Sequence, residues 1–163
     1  MENIKTHGTS IEWSNVLEMV HESRIDSVGL NERVNSLATR SIKKDSKLEA
    51  LNMIVSMCDL TTLEGEDTEG KISQMVAKAI KPNPLDSSVP SVAAVCVYPS
   101  LVDIAKKKVQ HSNVKVAAVS SYFPSGQVPM ESKLLDTKYA IDSGADEIDI
   151  VINRKAFLEG DYR

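Results

Sequence analysis

The most constraining feature of this sequence is a strand pattern followed by a helix pattern, repeated along the chain after residue 53. Short apolar runs rich in β-branched residues alternate with longer segments whose apolar residues recur at helical spacing. Strands that alternate with helices predict a parallel sheet with right-handed crossovers. The predicted strands are 53–60, 92–98, 114–123 and 147–153.

Residues that typically begin or end helices stand between the predicted strands. Asp67 or Thr68 is predicted to begin one helix, and residues 130–142 are predicted to form another. Gly144 then stands where a left-handed residue ends a helix. Residues 1–52 are more polar, with apolar residues at helical spacing between residues 13 and 20. We therefore expect a helical N-terminal extension over 1–52 and the repeated α/β unit over 53–163.

Two architectures fit the α/β pattern: a doubly wound open sheet, or part of a (β/α)8 TIM barrel. The glycine-rich dinucleotide fingerprint is absent after the first predicted strand, and no phosphate-binding Walker A loop occurs. The absence of both motifs argues against a nucleotide-binding open sheet. It does not exclude other open sheets.

The last predicted strand has two unlike faces. Alternation places Ile148, Ile150 and Ile152 on one face, which would pack against helices. Glu147 and Asp149 share the other face with Val151 and Asn153. An open parallel sheet covered by helices on both sides is usually apolar on both, whereas a barrel interior opens into the active site at its carboxyl end. The pattern favours the barrel.

The inward carboxylates have a structural and a functional interpretation. Asp149 could hold barrel geometry by pairing with a lysine, or it could work in an active site. Glu147 lies deeper in the strand, where the structural interpretation is favoured. Asp59 is predicted to end the first strand on the same face as Val55 and Met57.

Polar residues stand at the end of the first predicted strand and just after it. Asp59, Thr61 and Thr62 would cluster at the carboxyl rim, where they either line a site or satisfy a turn. Cys96, near the end of the second strand, is read as a small buried residue rather than a nucleophile. His7, His21 and His111 stand in polar surroundings and receive no role.

Composition narrows the classes of partner. The net charge of −4 argues against a nucleic-acid-binding protein, and no apolar run approaches membrane-spanning length. Two widely spaced cysteines form neither a zinc motif nor a disulfide framework. We therefore expect a cytoplasmic protein with no nucleic-acid or membrane partner.

Four segments, taken in order, resemble one family. DLTTLEGEDT (59–68), AAVCVYPS (93–100), FPSGQ (123–127) and GADEIDIVINR (144–154) are similar to deoxyribose-phosphate aldolase in its eukaryotic form. The resemblance implies a (β/α)8 barrel and a class I aldolase. Members of this family reversibly cleave 2-deoxy-D-ribose 5-phosphate, a sugar phosphate, to acetaldehyde and D-glyceraldehyde 3-phosphate in deoxyribonucleotide catabolism, with no metal or organic cofactor.

The resemblance also implies roles for particular residues. A lysine forms a Schiff base with the substrate carbonyl, and a second lysine lowers the pKa of the first by like-charge repulsion. An aspartate near the end of the fourth strand assists proton transfer through water. That aspartate corresponds to Asp149 here. By the same resemblance, Asp59, Thr61, Leu63 and Cys96 line the substrate pocket.

The two lysine motifs of the family do not occur in this sequence. They read Lys-Thr-Ser-Thr-Gly and Lys-Pro-Ala-Gly-Gly, and no Schiff-base lysine is identified among the 163 residues. Lys115 and Lys155 are closest to predicted strand ends, and neither has an argued desolvated pocket. The chain is expected to represent about the first four units of the barrel, the N-terminal half, and to be inactive alone.

An alternative is a non-catalytic half-barrel that binds a partner or a second copy of itself. A four-stranded piece of a barrel has two open edges with unpaired backbone groups. We therefore expect self-association through these edges.

Overall fold

The structure, a computed structural model, describes residues 4–6, 9–11 and 13–161. The chain divides into two compact units, Met1–Ile42 with Lys155–Arg163, and Lys43–Arg154. His7 lies outside the described residues. The division at residue 52, expected from the sequence, stays a prediction.

The first unit is mainly helical. The expected helix at residues 13–20 is confirmed, and an antiparallel hairpin that the sequence reading did not foresee precedes it. A second helix begins after Asp26, whose carboxylate accepts a hydrogen bond from the Gly29 N–H at 2.9 Å. The elements of this unit are β1 (Ile4–Thr6), β2 (Thr9–Ile11), α1 (Trp13–Glu22), α2 (Ser27–Ala38) and α7 (Arg154–Leu158).

The second unit contains the repeated α/β pattern. Its strands form one four-stranded sheet in the order β3-β4-β5-β6, and every neighbouring pair is parallel, as predicted. The elements are α3 (Lys44–Ser56), β3 (Asp59–Thr61), α4 (Glu69–Ile80), β4 (Ala94–Val97), a 3-10 turn (Pro99–Leu101), α5 (Val102–Lys108), β5 (Lys115–Ser120), α6 (Met130–Asp142) and β6 (Glu147–Ile150).

The main core lies between the sheet and the helices on one of its faces. Alternate residues of the two central strands point into this core, where they meet apolar residues of α4, α5 and α6. Because both central strands are buried by neighbours on each side, they read as continuous apolar runs. The fully buried residues of this core include Val95, Val97, Val116, Ala118, Ile72, Val102 and Ala140.

Two helix boundaries follow directly from local chemistry. The Thr68 hydroxyl accepts a hydrogen bond from the Lys71 N–H and caps α4. Gly144 has φ +96° just after α6, and its N–H bonds to the Ile141 carbonyl, which confirms the predicted left-handed ending.

The first predicted strand was partly wrong. Residues 53–56 belong to α3, and β3 covers only Asp59–Thr61. A short apolar run cannot by itself be assigned to strand or helix, and here helix-forming residues lead into it. Val55 therefore does not share a strand face with Asp59, and Asp59 begins β3 instead of ending it.

The last strand is shorter than predicted, because β6 ends at Ile150. Ile148 packs against the main core as expected. Ile150 and Ile152 do not, since they are 62% and 54% exposed. Among the described strands β6 forms the edge of its sheet, which explains why its end is less covered than the central strands.

Candidate functional site

A second, smaller cluster lies on the sheet face opposite the main core. It consists of Ala94 and Cys96 from β4 and Ala117 and Val119 from β5, all buried. Three of these four residues are alanine or cysteine, so most side chains on this face are short. We call this surface the inner face.

Polar side chains flank the inner face on both sides. Thr61 is the register partner of Cys96, and Asp149 is the register partner of Val119. Residues in register on parallel strands point the same way, so Thr61 and Asp149 project from the inner face. Asp59 and Glu147 share it through the alternation along β3 and β6.

The Cys96 thiol is influenced by the polar groups that flank the inner face. Its side chain is 4% exposed, and burial is the main cause that raises the pKa of the thiol above its ordinary value. The negative charges of Asp149 and Asp59 raise this pKa further, while interactions with Thr61 and the Val119 backbone oppose the rise. The thiol therefore stays protonated near neutral pH, consistent with a small buried residue and not a nucleophile.

The structure brings the predicted site residues together. Asp59, Thr61, Cys96 and Asp149 share the inner face, and Leu63 packs against its apolar cluster from the loop after β3. Asp59 is lower in the sheet than the sequence suggested, level with Ala94 at the start of β4. The roles of these residues in substrate binding or catalysis stay predictions.

The loop after β3 is held by a carboxylate that the sequence reading treated only as a helix start. Asp67 accepts hydrogen bonds from the Thr62 hydroxyl at 2.9 Å and from the Glu64 N–H at 3.0 Å. It also forms an ion pair with Lys71 at 2.6 Å. An i,i+4 Asp–Lys spacing was visible in the sequence, but the link back to Thr62 depends on the path of the loop.

The loop after β5 has an unusual backbone. Ser121 and Tyr122 have φ of +61° and +59°, a left-handed conformation that costs energy for residues with a side chain. The Asp136 carboxylate on α6 accepts a hydrogen bond from the Tyr122 N–H at 3.1 Å. Two successive strained residues follow the carboxyl end of β5, so the surrounding contacts must hold this loop in its conformation.

This loop also meets the segment that follows β6. A Cβ added at Gly126, whose φ is +65°, would lie 3.3 Å from the Val151 side chain and from the Ile152 carbonyl oxygen. The Arg154 guanidinium donates to the Pro124 carbonyl at 3.2 Å. Two of the four segments that carried the family resemblance, 123–127 and 144–154, are therefore in direct contact.

The two lysines considered from the sequence occupy different positions. Lys115 begins β5, level with Ala94, and is exposed at the amino end of the sheet. Lys155 lies on α7 and forms an ion pair with Glu159 at 2.8 Å. Because the strands are parallel, Lys115 lies at the end of the sheet opposite the carboxyl end of β6.

Within residues 4–6, 9–11 and 13–161, no three His, Cys, Asp or Glu side chains gather closely enough to hold a metal ion. In the same part of the chain, no helix is long and apolar enough to cross a membrane.

A parallel sheet with helices on one face and a polar-rimmed inner face on the other defines the class of protein. It is a (β/α)8 TIM-barrel protein, represented by about four of the eight strand–helix units. The chain belongs to the DeoC/LacD family of aldolases, whose family model matches residues 53–162.

Individual relatives agree with this membership. The chain is 38% identical over 136 residues to the deoxyribose-phosphate aldolase of Homo sapiens, covering 77% of this chain and 42% of that protein. The Mus musculus enzyme of the same name is 37% identical over 135 residues, with 77% and 42% covered. The chain thus spans about two fifths of the length of these relatives.

A solved structure shows the same fold. Deoxyribose phosphate aldolase from Aeropyrum pernix, described as having a unique tetrameric structure, superimposes with a TM-score of 0.53 at 25% identity. The match covers 64% of this chain and 41% of that one.

Proposed function

We propose that this chain carries part of the active site of a class I deoxyribose-phosphate aldolase. In the proposed reaction, 2-deoxy-D-ribose 5-phosphate is cleaved reversibly to acetaldehyde and D-glyceraldehyde 3-phosphate in cytoplasmic deoxyribonucleotide catabolism. The observation that carries the proposal is Asp149 on the inner face, where its charge and that of Asp59 act on Cys96. Family membership supplies the reaction class.

Asp149 has the chemistry that the proposed reaction needs. Cleavage requires a base to take the proton of the substrate hydroxyl while the carbon–carbon bond breaks, and later an acid to return a proton to the two-carbon product. A carboxylate exposed on the inner face can exchange protons with water in both directions. The small side chains of Ala94 and Ala117 lie on the same face as this carboxylate.

Neighbouring residues are assigned to the substrate pocket. Thr61 and Asp59 offer polar groups on the β3 side, and Leu63 contributes an apolar side chain packed against the cluster that contains Cys96. The Schiff-base lysine is assigned to a part of the protein outside these 163 residues, because the two lysine motifs of the family are absent from them.

A direct test uses the native protein isolated from its source with an antibody against this chain. We expect it to cleave 2-deoxy-D-ribose 5-phosphate and to be inactivated by borohydride in the presence of substrate. The recombinant 163-residue chain should keep its mass under the same treatment. A covalent adduct on the recombinant chain would overturn the assignment of the lysine.

A second candidate function is a non-catalytic half-barrel that associates with another copy. It is favoured by the exposure of Ile150 on β6, an edge strand among the described elements, and of Ile152 just after it. Sedimentation of the recombinant chain tests this candidate. Concentration-dependent association that Ile150→Lys weakens would support it, and a monomer at every concentration would exclude it.

A further inference from the structure

Leu63 is the part of the β3–α4 loop that reaches the inner face. Its side chain packs against the cluster formed by Ala94, Cys96, Ala117 and Val119. A loop residue normally keeps such a position only if the backbone on both sides of it is fixed, because loop backbone is otherwise mobile.

The Asp67 carboxylate binds both neighbours of Leu63. One of its oxygens, Oδ1, accepts from the Thr62 hydroxyl at 2.9 Å, and the other, Oδ2, accepts from the Glu64 N–H at 3.0 Å. The backbone N–H of Thr62 donates in turn to the Cys96 carbonyl at 3.1 Å. One side chain therefore ties the two residues around Leu63 together, next to the strand that carries Cys96.

The charge of Asp67 is compensated at the same place. The Asp67 side chain is 1% exposed, and the Lys71 ammonium lies 2.6 Å from its Oδ1. The hydrogen bond from Lys71 is the largest cause that lowers the pKa of Asp67, opposed by burial and assisted by Glu64 N–H and Thr62. Glu64 and Glu66 are the other acids near Lys71. The carboxylate is thus ionised and fully engaged at neutral pH.

We propose that Asp67 is a positioning residue for the substrate pocket: by binding Thr62 and Glu64 it holds Leu63 against the cluster that contains Cys96. It touches no reacting atom. Asp67 keeps the Leu63 side chain packed on the inner face. This packing limits the access of small molecules to that face. The substrate pocket rests on the proposed function. The clamp on Leu63, meaning the hydrogen bonds of Thr62 and Glu64 to Asp67, rests on the contacts alone.

Cys96 provides a probe that needs no aldolase activity. In a Cys58→Ser background, which removes the exposed cysteine, Cys96 is the remaining thiol. Its rate of modification by an aromatic disulfide reagent measures how often the cover, meaning the Leu63 side chain, moves away from the inner face. Loss of charge-assisted hydrogen bonds in Asp67→Ala should raise this rate roughly tenfold or more, and Asp67→Asn should raise it less.

Asp146→Asn is the matched control. Asp146 is a similar clamp away from Leu63, since it accepts from Lys106 Nζ and from the Val116 N–H. This variant should lower global stability yet leave the Cys96 rate unchanged under native conditions. Because Asp67 is proposed to act through Leu63, the variant Leu63→Ala should react fast, and adding Asp67→Ala to it should produce no further increase.

Two results would overturn the proposal. One is an unchanged Cys96 rate in folded Asp67→Ala or Asp67→Asn. The other is an equal rise in Asp146→Asn at matched stability, which would show that any destabilisation opens the cover. Either result would leave the aldolase assignment intact, since that assignment is decided by substrate cleavage in the native protein.

Discussion

Asp149 is the register partner of Val119 across the β5–β6 pair, so its carboxylate projects from the same face as the buried Val119 side chain. That pairing places an acid beside the small-residue cluster and lets its charge raise the pKa of Cys96, after burial as the main cause. A one-residue slip of β6 would turn Asp149 to the helix-covered face and Ile148 to the inner face. Packing of Ile148 in the main core therefore also fixes the direction of Asp149.

Removal of the Asp149 charge should affect catalysis far more than folding. In the full-length native protein, Asp149→Asn is expected to lower kcat by about a hundredfold or more, the usual scale for a lost acid–base group. The measurement is the rate of acetaldehyde formation from 2-deoxy-D-ribose 5-phosphate. Asp142→Asn is the control, because Asp142 is exposed on α6 and pairs with Lys138 in its own helix. Equal activity of the two variants would contradict the role of Asp149.

Asp146 is expected to be a stability residue. Its carboxylate accepts from Lys106 at 2.8 Å and from the Val116 N–H at 2.9 Å, linking β6 to α5 and β5. Asp146→Asn should lower the free energy of unfolding by about 1–2 kcal/mol, because it weakens two bonds to a partly buried charge. Urea unfolding of both proteins measures this. Asp103→Asn, at an exposed carboxylate paired with Lys107, should change the midpoint little.

The contribution of Asp146 should depend on pH with a definite sign. Burial alone would raise the pKa of Asp146, but Lys106 and the Val116 N–H outweigh it, so the folded-state pKa is lowered. Its stabilisation is then complete above the unfolded value of about 3.9 and is lost as pH falls through the lower folded value. The stability difference between the wild type and Asp146→Asn should shrink below about pH 4. A difference that stays constant into acid would rule out this linkage.

Much of this fold could be predicted because the chemistry is local. The α6 boundaries were recovered from helical periodicity and a glycine in the left-handed position, and the parallel order followed from the alternation of elements. The β3 strand was not recovered well. Residues 53–55 are apolar, and Ile54 and Val55 are β-branched, yet they continue a helix whose earlier residues favour helical structure.

The site was predictable only to the level of which face each residue takes. Strand alternation placed Asp149 with Glu147 and brought Asp59 and Thr61 to the rim of the sheet, and the family resemblance added Leu63 and a pocket role for Cys96. The partners of Asp67 could not be read from the sequence, because a loop of unknown path decides whether its carboxylate reaches Thr62 and Glu64. The same holds for the left-handed pair Ser121 and Tyr122, which contains no glycine to signal it.

The contact between the β5–α6 loop and the segment after β6 should be sensitive to Gly126. Gly126→Ala adds a Cβ 3.3 Å from Val151 at a left-handed φ, and is expected to cost about 1–2 kcal/mol of stability from the backbone conformation alone. The shift of the urea midpoint measures the cost. Gly65→Ala serves as the control, since an added Cβ there meets nothing within 4 Å. Similar midpoints for both variants would show that Gly126 is not required.

We propose that the inner face carrying Asp149 works with a Schiff-base lysine outside these 163 residues. The most direct measurement is borohydride trapping on the native protein with 2-deoxy-D-ribose 5-phosphate, followed by peptide mass mapping. We predict one reduced substrate-derived adduct, on a lysine outside the 163 residues described by this sequence. A folded native protein that shows neither cleavage nor adduct, or an adduct on a lysine within this chain, would contradict the claim.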